Sequence, residues 1–185
     1  DPVELQDCFI RHLRFTAGVE TQYRPSVITG EATHQNVATG YTIGRRFHSA
    51  RVVRLSDARP MHLGHTVRAD GRWRIFAFAN ADTDAGRMVR QSSRLWSFCD
   101  FIEHSPDSPV RRHTPVGDDI DSVIEVIAIL QQPHSDVSII GLPSLLLPRK
   151  GRYGLVDYEK VYCPDFKCGE DIFALRGIDR QRGAL

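Results

Sequence analysis

A chain of 185 residues with 41% hydrophobic and 25% charged side chains has the composition of a globular domain able to bury its own core. Its 24 basic and 23 acidic residues leave a net charge of +1, which excludes the global positive field of a nucleic-acid or anionic-membrane binder. No run of about 18 uninterrupted apolar residues occurs, so the sequence predicts no membrane-spanning helix.

The first element is an amphipathic helix over residues 3–15, with Leu5, Cys8, Phe9 and Leu13 at helical spacing. From Gly18 to Gly44 the periodicity fades into Thr, Gly, Asn and Ser, which reads as a linker before a compact block beginning near Gly44. Val52-Val53-Arg54-Leu55 predicts a short strand closed by the turn residues Ser56 to Pro60. His65 to Ala79 predicts a hairpin about Asp70-Gly71, with Trp73, Ile75, Phe76 and Phe78 in its second strand. Residues 84–104 switch to helical spacing through Met88, Leu95, Phe98, Cys99 and Ile102, with Asp82, Thr83 or Asp84 as N-cap. Val123 to Leu130 is apolar and β-branched apart from one Glu, the pattern of a strand buried on both faces. Ser138 to Leu147 is either a short helix or an apolar loop, Tyr153 to Val161 reads as a strand, and Asp171 to Leu175 starts a short helix. The order predicts an α/β fold with one central sheet.

The start, Asp1-Pro2-Val3, has no basic flank before an apolar stretch and does not read as a signal peptide. It lacks an initiator methionine, and the far end stops at Gly183-Ala184-Leu185 just as an apolar stretch begins, so the expectation is a piece of a longer chain. The four cysteines, at 8, 99, 163 and 168, are too scattered for a disulfide framework and favour a reducing, cytoplasmic compartment.

Motifs for chemistry are scarce. No two glycines are two residues apart, and the tightest pair is Gly151 and Gly154, so neither dinucleotide cradle can be built from this chain. Cys163 and Cys168 are separated by four residues and miss the CxxC spacing that activates a thiolate, which favours structural cysteines. His62 and His65 are three apart with no second ligand pair at a zinc spacing. The GxSxG signal of a hydrolase is absent. Arginines at 45, 46, 51, 54 and 59 form the densest basic stretch, read as a salt-bridged face before an anion site or an acidic-partner surface. The residues alone assign no catalytic, cofactor-binding or metal-binding side chain and support a scaffold or assembly role.

Several stretches nevertheless resemble the C-terminal region of the FAD-dependent phenol hydroxylase family. Phe15-Thr16-Ala17-Gly18-Val19, with Tyr23 and Pro25-Ser26, looks like the segment leaving that family's substrate domain. Gly44-Arg45-Arg46, Val53 to Ala58 and Asp70 to Ile75 resemble the opening of its last domain. Asp157 to Val161, Gly177 to Arg180 and Gly183-Ala184 resemble its closing stretch. The resemblance implies a thioredoxin-like central mixed sheet flanked by helices, usually without a working CxxC. It divides the chain into a linking helix and linker at 1–43, leaving a flavin and substrate domain, and a thioredoxin-like domain at 44–185 that is incomplete at its C-terminus. The implied parent is a cytoplasmic phenol 2-monooxygenase-like hydroxylase that uses FAD, NADPH and molecular oxygen, with this region serving assembly into a homodimer. The family's catalytic and cofactor residues precede the region, so none is carried onto this sequence. The helix through Met88 to Ile102 and the stretch Ile139 to Leu147 are candidate contacts with the parent or a second subunit, weighed evenly against burial in their own core. The alternatives are a free-standing thiol oxidoreductase or peroxidase using Cys163 or Cys168, and a non-enzymatic assembly module.

Overall fold

The computed structural model describes residues 1–81 and 93–184, with the backbone alone at Arg14. Helix α1 (Pro2–Thr16) starts from an N-cap at Asp1, whose carboxylate accepts the Val3 N–H at 3.0 Å. Strands β1 (Arg51–Arg54) and β2 (Pro60–His62) form an antiparallel hairpin. Strand β3 (Trp73–Phe78) and helix α2 (Arg94–His104) come next, followed by helix α3 (Pro109–His113) and strand β4 (Ile124–Ile129). A small hairpin of β5 (Arg149–Lys150) and β6 (Leu155–Val156) leads to β7 (Val161–Pro164) and helix α4 (Ile172–Leu175).

Five strands form one mixed sheet in the order β2-β1-β7-β4-β3. β4 runs parallel to β3 and to β7, while β1 is antiparallel to β7 and β2. The α/β class expected from the sequence is found, and a mixed sheet flanked by helices after a leading helix is consistent with the thioredoxin-like architecture. Alternation along β4 builds two cores. Val126 and Ala128 face one side with Leu130, against Leu95, Cys99 and Ile102 of α2 and the 3-10 turn Ser144–Leu146. Ile127 and Ile129 face the other, against Leu63, Tyr162, Ile172 and Phe173. Val37, Ala38 and Tyr41 also pack on this second side, where Gly40 N–H donates to the Arg176 carbonyl at 2.9 Å. A Cβ on Gly40 would stand 2.7 Å from the Arg176 backbone, so only glycine allows that approach.

Three expectations are corrected. The Asp70-Gly71 hairpin does not form. Gly71 has φ +77°, but Asp70 is not among the residues of positive φ, and a two-residue type I′ turn needs both. The preceding stretch is a 3-10 turn at Leu63–Thr66, and β3 instead lies along the continuous apolar β4. The strand expected over 153–161 is two elements, because Asp157, Glu159 and Lys160 interrupt it with charges engaged elsewhere. Helix α2 is capped by Ser93, whose hydroxyl accepts the Trp96 N–H at 3.4 Å; Met88 and the expected caps Asp82, Thr83 and Asp84 lie outside the described residues. The stretch Ser138 to Leu147 resolves into two 3-10 turns, Ile139–Gly141 and Ser144–Leu146.

The starts of β3, β4 and β7 meet in an ion cluster. Lys160, 1% exposed, places its Nζ 2.5 Å from Asp121 Oδ2, 2.6 Å from Glu125 Oε1 and 3.5 Å from Asp157 Oδ2. Lys150 Nζ reaches Asp121 at 2.7 Å and Asp157 at 2.9 Å. Arg74, directly opposite Glu125 in the β3–β4 register, donates from Nε to Glu125 Oε2 at 3.0 Å and reaches Asp70 at 2.6 Å. Arg72 joins Asp70 at 2.7 Å and faces Glu125 at 3.6 Å. Burial opposes the charge of Asp121 and Asp157, yet the two ammonium groups hold both carboxyls below the ordinary carboxylate range.

Removing one partner of such a cluster strands charge in the interior. Lys160→Met, which keeps the apolar stem, is therefore expected to cost about 3–5 kcal/mol in urea unfolding, and a loss below about 1 kcal/mol would contradict a structural cluster. Carboxyls depressed in the folded state stabilise fully above their unfolded pKa of about 4, and that contribution disappears as pH falls through the lower folded values. The thermal midpoint is expected to hold from neutral pH to about 5 and to drop below about 4, with Asp121→Asn giving a shallower acid limb.

Candidate functional site

Open α/β sheets place ligands at the carboxyl ends of their parallel strands. Here that end carries a cavity of about 310 Å³ lined by Asn80, Arg94, Leu95, Phe98, Arg182 and neighbours. Two of its polar side chains, Asn80 and Arg94, are engaged in holding the chain together. Asn80 Oδ1 accepts the Arg94 N–H at 3.1 Å, and Arg94 Nη1 donates to the Arg182 carbonyl at 3.3 Å. Beside it, Gln131 Nε2 donates to the Ala79 and Arg180 carbonyls at 2.8 and 2.7 Å, and Arg180 pairs with Asp171. No described lining residue of this cavity is a Cys, Ser, Asp or Glu, and its one imidazole is His34.

The thiols lie elsewhere. Cys163 is fully buried in β7 and Cys99 fully buried on α2, and burial pushes both up to about 12, the reverse of an activated thiolate. Cys168 ends the 3-10 turn Phe166–Cys168 and is exposed, and Cys8 is exposed on α1; all four are free. The His62 and His65 rings stand 5.7 Å apart, and among the described residues no group of three or more His, Cys, Asp or Glu side chains could hold a metal.

The arginine stretch is mostly consumed by internal contacts. Arg45 Nε donates to Gln22 Oε1 at 3.3 Å and Arg46 Nη1 to the Ala17 carbonyl at 3.4 Å. Arg51 pairs with the buried Asp165 at 3.2 Å, and Arg54 with Asp57 at 2.7 Å and Glu159 at 2.6 Å. The hydrogen bonds from Arg54 hold Asp57 down at about 2. Arg59 alone is left facing a polar cleft of about 330 Å³, which it shares with His65 and Arg68. Nothing in the sequence spacing announces that convergence, because it depends on the β1–β2 hairpin folding back beside the turn Leu63–Thr66.

Of the two candidate contact surfaces, the described part of the helix through Ile102 turns Leu95, Cys99 and Ile102 into its own core, and Leu142, Leu145 and Leu146 are buried likewise. Phe101 on the helix, 45% exposed, and Ile140, 96% exposed, stand out. The larger apolar surface is on α1, where Val3, Leu5, Phe9, Ile10, Leu13 and Phe15 are each more than half exposed. No described helix is long and apolar enough to cross a membrane.

Comparison with known proteins joins these features. The chain is 54% identical, over its whole length, to 28% of a 3-hydroxybenzoate 4-monooxygenase from Comamonas testosteroni. It is 33% identical to the FAD-dependent monooxygenase terD of Aspergillus terreus, over 99% of this chain and 30% of that protein. It is 28% identical to the phenol 2-monooxygenase fsqG of Aspergillus fumigatus, over 98% of this chain and 29% of that protein. The chain thus spans under a third of the length of these curated relatives. Residues 21–185 match the family model described as phenol hydroxylase, C-terminal dimerisation domain, and the chain belongs to that family.

Proposed function

We propose that this chain is the C-terminal assembly portion of a cytoplasmic flavoprotein monooxygenase that hydroxylates a phenolic ring with NADPH and molecular oxygen. The observation that carries this reading is the dimerisation-domain match over residues 21–185, together with 54% identity to an aromatic-ring monooxygenase. FAD and NADPH are held by preceding parts of the parent: within this chain the nearest glycines are three residues apart, a spacing that does not fit the phosphate cradle of either dinucleotide. The role of this region is binding and positioning of domains, with 44–185 as the assembly domain and 1–43 as the linking helix and linker. Helix α1 supports the linking role of the leading helix, since it lies outside the dimerisation match and presents bare apolar side chains to which the flavin and substrate domains of the same polypeptide would dock.

The full-length polypeptide is expected to purify with a flavin spectrum and to oxidise NADPH faster when a phenol is present; no stimulation across a panel of phenols and hydroxybenzoates overturns the monooxygenase reading. Sedimentation of the same protein is expected to give a dimer. Phe9→Ala is expected to cost the full-length enzyme about 3–5 kcal/mol if the ring is buried against the preceding domain, and within about 0.5 kcal/mol in the isolated 185-residue chain, where the ring is exposed. Against the thiol oxidoreductase alternative, a thiol reagent should titrate only Cys8 and Cys168 before unfolding, and Cys163→Ser with Cys168→Ser should leave turnover unchanged.

A further inference from the structure

The polar cleft left over by the arginine stretch has an imbalance of charge that the protein does not satisfy internally. Five cationic side chains line it, against the carboxylates of Glu125, Asp157 and Glu159. Each carboxylate is already held: Glu125 by Arg74 and Lys160, Asp157 by Lys150, and Glu159 by Arg54. Further pairings, with Asp57, Asp121 and Asp70, occupy Arg54, Lys150 and Arg72. What remains is Arg59 and Arg68, whose guanidinium groups have no hydrogen-bond or ion-pair partner among the described residues, although Asp57 feels the charge of Arg59.

Met61, Ile127 and Tyr162 are the apolar and aromatic residues among the cleft's mostly polar lining. Tyr162 is buried, its phenol donates to the Glu159 carbonyl at 2.7 Å, and burial pushes it up to about 12, so it adds no negative charge. A cleft whose unpaired charges are of one sign concentrates field on an anion. Two guanidinium forks match the geometry of a tetrahedral oxyanion, and His65 adds a ring nitrogen at the same rim. The volume, about 330 Å³, suits a small molecule rather than a length of acidic polypeptide.

We propose that the cleft between the β1–β2 hairpin and the start of β7 binds a small phosphoryl anion, gripped by Arg59 and Arg68 beside His65. This site goes beyond the assembly role and does not depend on it. Isothermal titration of the protein with inorganic phosphate, pyrophosphate and ADP, at constant ionic strength, tests it. Saturable binding of at least one is expected, weakened about tenfold or more in Arg59→Ala/Arg68→Ala and unchanged in Arg152→Ala, an exposed arginine outside the cleft. Both substituted side chains are exposed, and an unaltered circular dichroism spectrum of the double variant is expected to accompany the loss. Equal affinity for pyrophosphate and ADP identifies a free phosphoryl anion as the source, and tighter binding of ADP identifies a nucleotide. No saturable binding of any of the three, or undiminished affinity in the double alanine variant, overturns the proposal.

Discussion

The attraction between one buried ammonium and the carboxylates around it sets the terms for the whole sheet. Lys160 immediately precedes β7, Asp121 and Glu125 bracket the start of β4, and Asp157 sits in the loop from β6. Four cations, Lys150, Lys160, Arg72 and Arg74, meet four carboxylates, Asp70, Asp121, Glu125 and Asp157, so the cluster is neutral as a unit. Asp121 Oδ2 takes its compensation from two ammonium groups rather than from a hydrogen bond of regular geometry. In a low-dielectric setting such charges tolerate little displacement, and the strand starts are thereby locked in one register. A purely apolar contact could hold the same strands together without fixing that register as tightly.

The two ends of the sheet consequently do different work. The amino ends carry charge that is spent on structure, with a surplus at Arg59 and Arg68 among the described residues lining the polar cleft. The carboxyl ends, where open α/β sheets place ligands, carry amide and guanidinium groups tied to the backbone. Two of the four thiols, Cys99 and Cys163, point into the first core, while Cys168 stays exposed just past β7.

What the sequence made legible followed from periodicity. The Val123 to Leu130 run is β4, and the spacing of Leu95, Cys99 and Ile102 is the buried stripe of α2. Asp171 is the N-cap of α4, with its carboxylate accepting the Phe173 N–H at 3.0 Å. Failures came where polar residues were buried together. The single Glu in the β4 run was the one visible sign of the ion cluster, but its partners are drawn from 35 to 51 residues away, and no local pattern connects them. The burial of Lys160 was not legible for the same reason, since it makes sense only once Asp121 and Glu125 are in place. The Asp70-Gly71 dipeptide carried a strong turn signal that a tertiary demand overrode, because Asp70 is claimed by Arg72 and Arg74 and β3 by β4. The absence of a catalytic motif was readable directly, whereas the convergence of Arg59, Arg68 and His65 required the hairpin's fold.

The strand order has a temporal consequence. β7 is the middle strand, joining the β1–β2 hairpin to the β3–β4 pair, yet it is made from residues 161–164. Its pairing of Val53 with Cys163 spans most of the chain, and contacts of that separation slow folding. A ribosome extending this polypeptide would therefore emit two unjoined half-sheets with open edges, and those edges stay adhesive until the last fifth of the domain emerges. Translation speed near that point, and any chaperone that shields the half-sheets, would govern how much of the protein reaches its native form.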